Sequence, residues 1–216
     1  MMTSYCGCYC ADLSLSSATK QNNLLDKGYP MPWSPEQKIQ TREKILHSAA
    51  RLFTRNGFEK VSINDVMQQA GLTRGAFYKH FASKSELYSE AIVYGARKVV
   101  AERKSRAIDM KSVLEAYLSR DHVEAVDGAC PLAFLVSDIA QQGNIDQKAY
   151  QQVLEGLIDI LTKESGQSED TALLSSILMI GGVALARAVN DESLSDRILS
   201  VARNETRKQL IENGGE

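Results

Sequence analysis

Residues Ser62–Glu86 read SINDVMQQAGLTRGAFYKHFASKSE, and this stretch decides the fold. Ile63, Val66, Met67 and Ala70 fall at offsets 0, 3, 4 and 7, one face of a helix. Ser62 precedes that face and Asp65 follows three residues on, the spacing of a reciprocal cap. Gly71 can take the positive φ that stops a helix, and Thr73 is placed to cap a second one over residues 74–81. That second helix has two unlike faces. Phe77 and Phe81, four apart, anchor it to a core, while Arg74 and Tyr78, also four apart, share another face with Lys79 and His80 beside them. Gly75 lets a partner approach the backbone closely. Cations and a tyrosine hydroxyl suit phosphate oxygens, and an arginine suits a guanine edge, so the pattern fits a recognition helix in a major groove. Taken alone it equally fits a helical hairpin with a solvated polar face.

The flanks supply more. A first helix is predicted from about Pro35 to Asn56, with Ile45, Ala49, Leu52 and Phe53 as its apolar stripe and Gly57 as its stop. Ser83 and Glu86 repeat the capping spacing and open a fourth helix that runs to about Arg106. Residues 41–103 closely resemble the DNA-binding domain of TetR/AcrR-type bacterial transcriptional regulators. The resemblance is carried by A-A-R-L-F at Ala49–Phe53, Gly57-Phe58, Asp65-Val66, Ala70-Gly71, T-x-G-A-F-Y-x-H-F from Thr73 to Phe81, and S-K-x-E-L from Ser83 to Leu87. It implies that Thr41, Arg42 and Lys84 contact phosphate, and that Ser62, Thr73, Arg74, Gly75, Tyr78, Lys79 and His80 form the rest of the DNA-binding surface.

The charge distribution agrees with a nucleic-acid head on an acidic body. The net charge of −2 conceals a division: residues 36–106 hold 14 Lys and Arg against 7 Asp and Glu, and residues 107–216 hold 9 against 18. A basic segment beside an acidic one suits one polyanion-binding domain and one that stays off DNA. The basic run RKVVAERKSR closing the fourth helix is read as a solvated face. Three of the four prolines lie between Pro30 and Pro35, which leaves the rest free to be helical, and no apolar run is long enough to suggest a membrane span.

Residues 1–35 differ from the rest. They carry Cys6, Cys8 and Cys10 in alternation, a spacing unlike the zinc pattern, and no helical period, so they read as a disordered leader with translation starting at Met31. No metal and no cofactor is expected. Beyond residue 107 the chain reads as helical throughout: a short helix at Val113–Leu118, a turn around Val123 and Val126 broken by Gly128, then a buried apolar helix opened by Cys130-Pro131, carrying Leu132, Phe134, Leu135, Val136 and Ile139, and ended by Gly143-Asn144. Longer helices follow over residues 145–164, 168–189 and 194–211, the second containing Gly181-Gly182, whose cost suggests close helix–helix approach.

The fold expected is therefore all-α: an N-terminal three-helix helix-turn-helix DNA-binding domain, residues 36–106, and a C-terminal helical ligand-binding and dimerisation domain, residues 107–216. The resemblance implies a cytoplasmic homodimer that binds a palindromic double-stranded DNA operator, pairs through its last two long helices, and is released by a small-molecule effector. Tyr117, Cys130, Phe134, Tyr150 and Met179 are the candidate pocket residues. Cys130, just ahead of a helix, has two readings: a thiol of depressed pKa that senses oxidants or electrophiles, or, the reading preferred, a small buried residue filling space beside Pro131. An enzyme reading finds no H-E-x-x-H, G-x-S-x-G or Walker loop, and only His122 among the histidines outside the basic half. A protein-binding adaptor has no need to gather Arg74, Lys79 and Lys84 around an exposed tyrosine.

Overall fold

Short polar caps and left-handed glycines set the helix ends. A computed structural model of the chain describes residues 34–106, 108–125 and 130–212. The leader, its three cysteines, the Met31 start and the Val126–Gly128 break lie outside the described residues. Helix α1 (Pro35–Lys60) begins at Ser34, whose hydroxyl accepts from the Gln37 amide at 3.2 Å while the Gln37 side chain accepts from the Ser34 amide at 3.0 Å. Its regular course stops at Gly57, φ 78°, as the sequence predicts. Helix α2 (Ile63–Gln69) carries the predicted reciprocal cap: the Asp65 amide donates to the Ser62 hydroxyl at 3.2 Å and the Ser62 amide to the Asp65 carboxylate at 2.8 Å. Gly71 takes φ 69° and turns the chain into α3 (Arg74–Phe77).

Helix α3 departs from expectation in two ways. Only four residues are regular helix; Tyr78 to His80 continue as a tightened turn, with the His80 amide donating to the Phe77 carbonyl at 2.9 Å. The Thr73 hydroxyl makes no capping bond. The amide it would serve, that of Ala76, already donates to the Thr73 carbonyl at 3.0 Å. Helix α4 (Lys84–Ser105) opens with the Glu86 amide donating to the Ser83 hydroxyl at 3.0 Å, but the Glu86 carboxylate reaches back one residue further than predicted, to the Ala82 amide at 2.5 Å.

The acidic half comprises α5 (Met110–Tyr117), α6 (Arg120–Glu124), α7 (Pro131–Phe134), α8 (Val136–Ile139), α9 (Asn144–Ser165), α10 (Glu169–Ala188) and α11 (Glu192–Arg207), closed by a wide turn over Lys208–Glu212. The single apolar helix expected between Cys130 and Gly143-Asn144 is two short ones that break at Leu135, φ −113° and ψ 5°. The break falls where the chain passes between two cores. One core gathers Phe53, Val66, Phe77, Phe81, Leu87 and Tyr88 of the basic half and also takes in Leu135 and Ile139. The other packs Leu114, Leu118, Met179, Val183, Leu199 and Ala202.

Helix α10 corrects one sequence reading: it is long and apolar enough, by length and composition, to cross a membrane. Its Ala172, Met179, Val183 and Ala186 are buried in the second core instead. The glycine pair also divides. A Cβ on Gly182 would lie 2.9 Å from the Ala202 Cβ and 3.0 Å from Leu118 Cδ2, whereas one on Gly181 would meet nothing within 4 Å. Only Gly182 is required by the α10–α11 approach. Gly182→Ala is expected to destabilise the fold by about 1–3 kcal/mol through overpacking. Gly156→Ala, in the exposed middle of α9 with open space around it, is expected to stabilise by about 1 kcal/mol. Chemical denaturation of the two variants checks both signs.

Candidate nucleic-acid interface

The short α3 is held from behind and open in front. Phe77 and Phe81 are buried, their ring centroids 5.8 Å apart, and fix the helix to the first core. Arg74, Gly75, Tyr78 and Lys79 face outward, and Tyr78 is 59% exposed despite its apolar ring. That ring stands edge-on to Phe77 at 5.1 Å and 88°, which positions its hydroxyl away from the core. Nothing lies within 4 Å of a Cβ built on Gly75, so internal packing makes no demand for glycine there. The space is free for a partner's backbone to approach.

The other expected contact residues are more occupied. The Arg42 guanidinium pairs with the Glu90 carboxylate at 2.6 Å and lies 4.6 Å from the centre of the Phe81 ring. It therefore ties α1 to α4 as well as flanking the surface. Lys84 sits with its ammonium 4.1 Å from the centre of the Phe58 ring, which offsets the unfavourable placing of a cation in the first turn of α4. The Ser62 hydroxyl is committed to the α2 cap, and Thr41 is half-buried. His80 is half-buried, and desolvation together with the cations Lys38, Arg42 and Lys79 pushes its pKa below the ordinary histidine value. It is therefore a neutral hydrogen-bonding group at neutral pH and not a further cation.

In the acidic half the structure gathers four of the five pocket candidates. Tyr117 and Phe134 flank His122, at ring distances of 4.6 and 5.7 Å. The Cys130 amide donates to His122 Nε2 at 3.2 Å, so Nε2 is the bare nitrogen and Nδ1–H donates to the Tyr117 carbonyl at 2.6 Å. Burial holds the His122 pKa down and keeps this tautomer neutral. Tyr150 donates to the Leu132 carbonyl at 2.7 Å, and the Arg187 guanidinium lies 3.4 Å from the centre of the Phe134 ring. Met179 is buried in the second core, against which Tyr117 and Phe134 pack.

Of the two readings of Cys130, the thiol of depressed pKa does not fit its surroundings. Its thiol is enclosed beside the Tyr117 hydroxyl, and burial pushes it above the ordinary thiol value despite the amides of Leu132 and Ala133. The helix ahead of it has four residues, too few to sustain a strong dipole. Sequence reasoning missed His122, Arg187 and Glu90 as members of these clusters. Each acts through a partner distant in the chain or on another element, and none stands at a telling sequence spacing.

Residues 45–91 match the sequence profile of bacterial regulatory proteins of the tetR family. The chain is 47% identical over 55 residues to the HTH-type transcriptional regulator AcrR of Shigella flexneri, a match covering 26% of each chain. The chain thus spans about a quarter of that relative's length. A longer match, 24% identical over 169 residues, is to the uncharacterized HTH-type transcriptional regulator YxaF of Bacillus subtilis and covers 71% of this chain and 88% of that one. Among solved structures, a TetR-family transcriptional regulator from Agrobacterium tumefaciens superposes with a TM-score of 0.62 at 22% identity, over 78% of this chain and 98% of that one. That likeness carries the all-α fold into the acidic half, where sequence similarity thins. The capped helix-turn-helix at Ser62–Phe81 lies inside the matched segment, so residues 45–91 are similar in both sequence and local structure to the DNA-binding part of bacterial regulatory proteins of the tetR family.

Proposed function

We propose that this protein is a ligand-responsive transcriptional repressor that binds a palindromic operator as a homodimer and works in the cytoplasm, where its operator is. The observation that carries the reading is the outward face of α3: Arg74, Gly75, Tyr78 and Lys79 exposed together in front of two buried phenylalanines, within a basic segment. In this reading α3 enters the major groove. Tyr78 and Lys79 reach phosphate, Arg74 reads a base edge, and Thr41, Arg42, Ser62, Thr73, His80 and Lys84 flank the contact.

The pairing surface is assigned to α10 and α11. Ile177, Leu185 and Val201 are 58%, 59% and 61% exposed, and with Leu194 they line one shallow apolar groove between the two helices. A second copy laid on the same groove would bury it by two-fold symmetry, as a four-helix bundle. The effector is assigned to the acidic half, beside Tyr117, Cys130, Phe134 and Tyr150, where neutral His122 and the Arg187 guanidinium add polar groups to aromatic walls. Release requires only that the effector prefer the protein state whose two α3 helices fit the operator poorly.

Selection of duplexes from a random pool by the full-length protein is the direct test. A palindrome bound more weakly at higher salt is the expected result; a pool with no enriched sequence would sink the reading. Arg74→Ala should cost about 1–3 kcal/mol on the selected site and relax preference at one position in each half-site. Lys79→Ala should weaken all sequences alike and lower the salt slope by about 1, and Tyr78→Ala should weaken all sequences as well. Val201→Asp and Leu185→Asp should convert the dimer to monomer in sedimentation, with palindrome binding lost and α-helical content retained.

A further inference from the structure

Two carboxylates from the acidic half reach the basic half, at either end of the corner joining α8 to α9. Asp138, near the end of α8, accepts the Phe58 amide with both oxygens, at 3.3 and 3.1 Å, and accepts the Tyr88 hydroxyl. Its Oδ1 also fills the space beside Gly57, where a Cβ would approach it to 3.0 Å. Asp146, in the first turn of α9, is 2% exposed and accepts the hydroxyls of Ser85, at 3.0 and 3.2 Å, and Ser89, at 2.6 Å. Ser85, Tyr88 and Ser89 stand at i, i+3 and i+4, so one face of α4 meets both acids.

The geometry separates the duties of the two. Asp146 touches α4 alone. Asp138 joins α4 to the end of α1, because the Phe58 amide and the Tyr88 hydroxyl share its carboxylate. Phe58 opens the short link from α1 to α2, and its ring packs on Tyr88 at 5.0 Å. The far end of α4 is fastened differently, by an Arg103–Glu164 pair whose guanidinium is mostly covered and whose carboxylate is 38% exposed. Water can replace the partner of a part-exposed carboxylate such as Glu164, whereas Asp138 takes the hydroxyl of the fully buried Tyr88, which has no water to turn to. Beside the packing of α4 along α9, the α8–α9 corner thus supplies the carboxylate contacts that hold α4 and the end of α1 to the body.

We infer that Asp138 is a positioning residue that fixes the tilt of the DNA-binding helices on the body, and so sets which half-site spacing the dimer accepts. The inference rests on the proposed reading as a dimeric operator-binding protein. Two rigidly tilted heads meet half-sites only at one separation, about 34–36 Å or a multiple of the helical turn. With Asp138 loosened, each head rocks on α4 and reaches neighbouring spacings, while each α3 still reads its own half-site.

The test uses the full-length protein and the palindrome selected by the wild type. Affinities are compared for that palindrome, for versions with one base pair added to or removed from the spacer, and for a single half-site. The wild type should lose about tenfold or more on a one-base-pair change, a step of roughly 1.4 kcal/mol. Asp138→Asn keeps the shape and one acceptor; its loss on the altered spacers should shrink to less than about threefold, at unchanged half-site affinity. Tyr88→Phe, which removes only the hydroxyl, should move the ratio the same way and carries the test if Asp138→Asn does not fold. A purely structural role would lower the melting temperature and leave the spacing ratio at its wild-type value, and that result in the folded variants overturns the inference alone. A wild type that selects no palindrome overturns the functional reading and the inference with it.

Discussion

A tyrosine hydroxyl buried in an apolar core must find an acceptor, and much of this structure follows from where Tyr88 finds one. Tyr88 is fully buried, edge-on to Phe53 at 4.9 Å and tilted against Phe58 at 5.0 Å, and donates to Asp138. Burial, reinforced by the neighbouring carboxylate, raises its pKa far above the ordinary tyrosine value, so it remains a donor at any physiological pH. Without the acceptor, the hydroxyl would cost about 1–3 kcal/mol in desolvation. The same acceptor takes the Phe58 amide, which follows the left-handed residue Gly57 where the regular course of α1 is interrupted. One carboxylate thus serves one group at the end of α1 and one in the middle of the first core. The core of the basic half is completed by Leu135 and Ile139, residues that flank Asp138 from the acidic half.

What was legible in the sequence was local. Ser62 and Asp65, three apart, form the cap their spacing predicts, and Gly57, Gly71 and Gly166 take positive φ where helices stop. Phe77 and Phe81 are the inner face of the recognition segment, and Tyr78 is outward, because a four-residue offset fixes a helix face whatever the rest of the chain does. What was not legible was long-range. Asp138 meets Phe58 across 80 residues and Tyr88 across 50, Asp146 meets Ser89 across 57, and Glu90 meets Arg42 across 48. No periodicity connects such pairs. Arg42 shows the consequence: its residue type and place suggest a phosphate contact, yet a carboxylate on another helix already holds it.

Cys130 is a case where two physical effects oppose each other and their sizes decide. A helix N-terminus stabilises a thiolate, and burial destabilises one. The dipole of α7 comes from four residues, and the thiol is enclosed beside the Tyr117 hydroxyl, with the bare nitrogen of His122 taken by the Cys130 amide. Desolvation wins, and the thiol stays protonated. The same enclosure explains why His122 is neutral and why its tautomer is fixed. Aromatic edges, a neutral imidazole and a guanidinium laid over Phe134 make this cluster the chemically varied part of an otherwise aliphatic half, which is why the effector is assigned there.

Helix α10 passes the length and composition test for a membrane span for a reason that also bears on assembly: it is apolar on more than one face. The inward face, with Met179, Val183 and Ala186, meets α11 and α5 in the second core, and Gly182 lets α11 come close enough to complete it. The outward face holds Leu173, Leu174, Ile177 and Leu185, all exposed, and α11 extends it with Leu194 and Val201. Scattered exposed leucines need no explanation, but a contiguous set on two adjacent helices does. A bilayer could cover the α10 face alone only by taking α10 away from the core that its other face completes. In the proposed dimer a second copy of the same two helices would cover it and leave that core intact, and the self-complementary contact would hold two α3 helices in fixed relation. The proposed pairing face and the proposed role of Asp138 would then be two parts of one constraint, since a fixed head angle selects an operator only if the bodies that carry the heads are themselves fixed to each other.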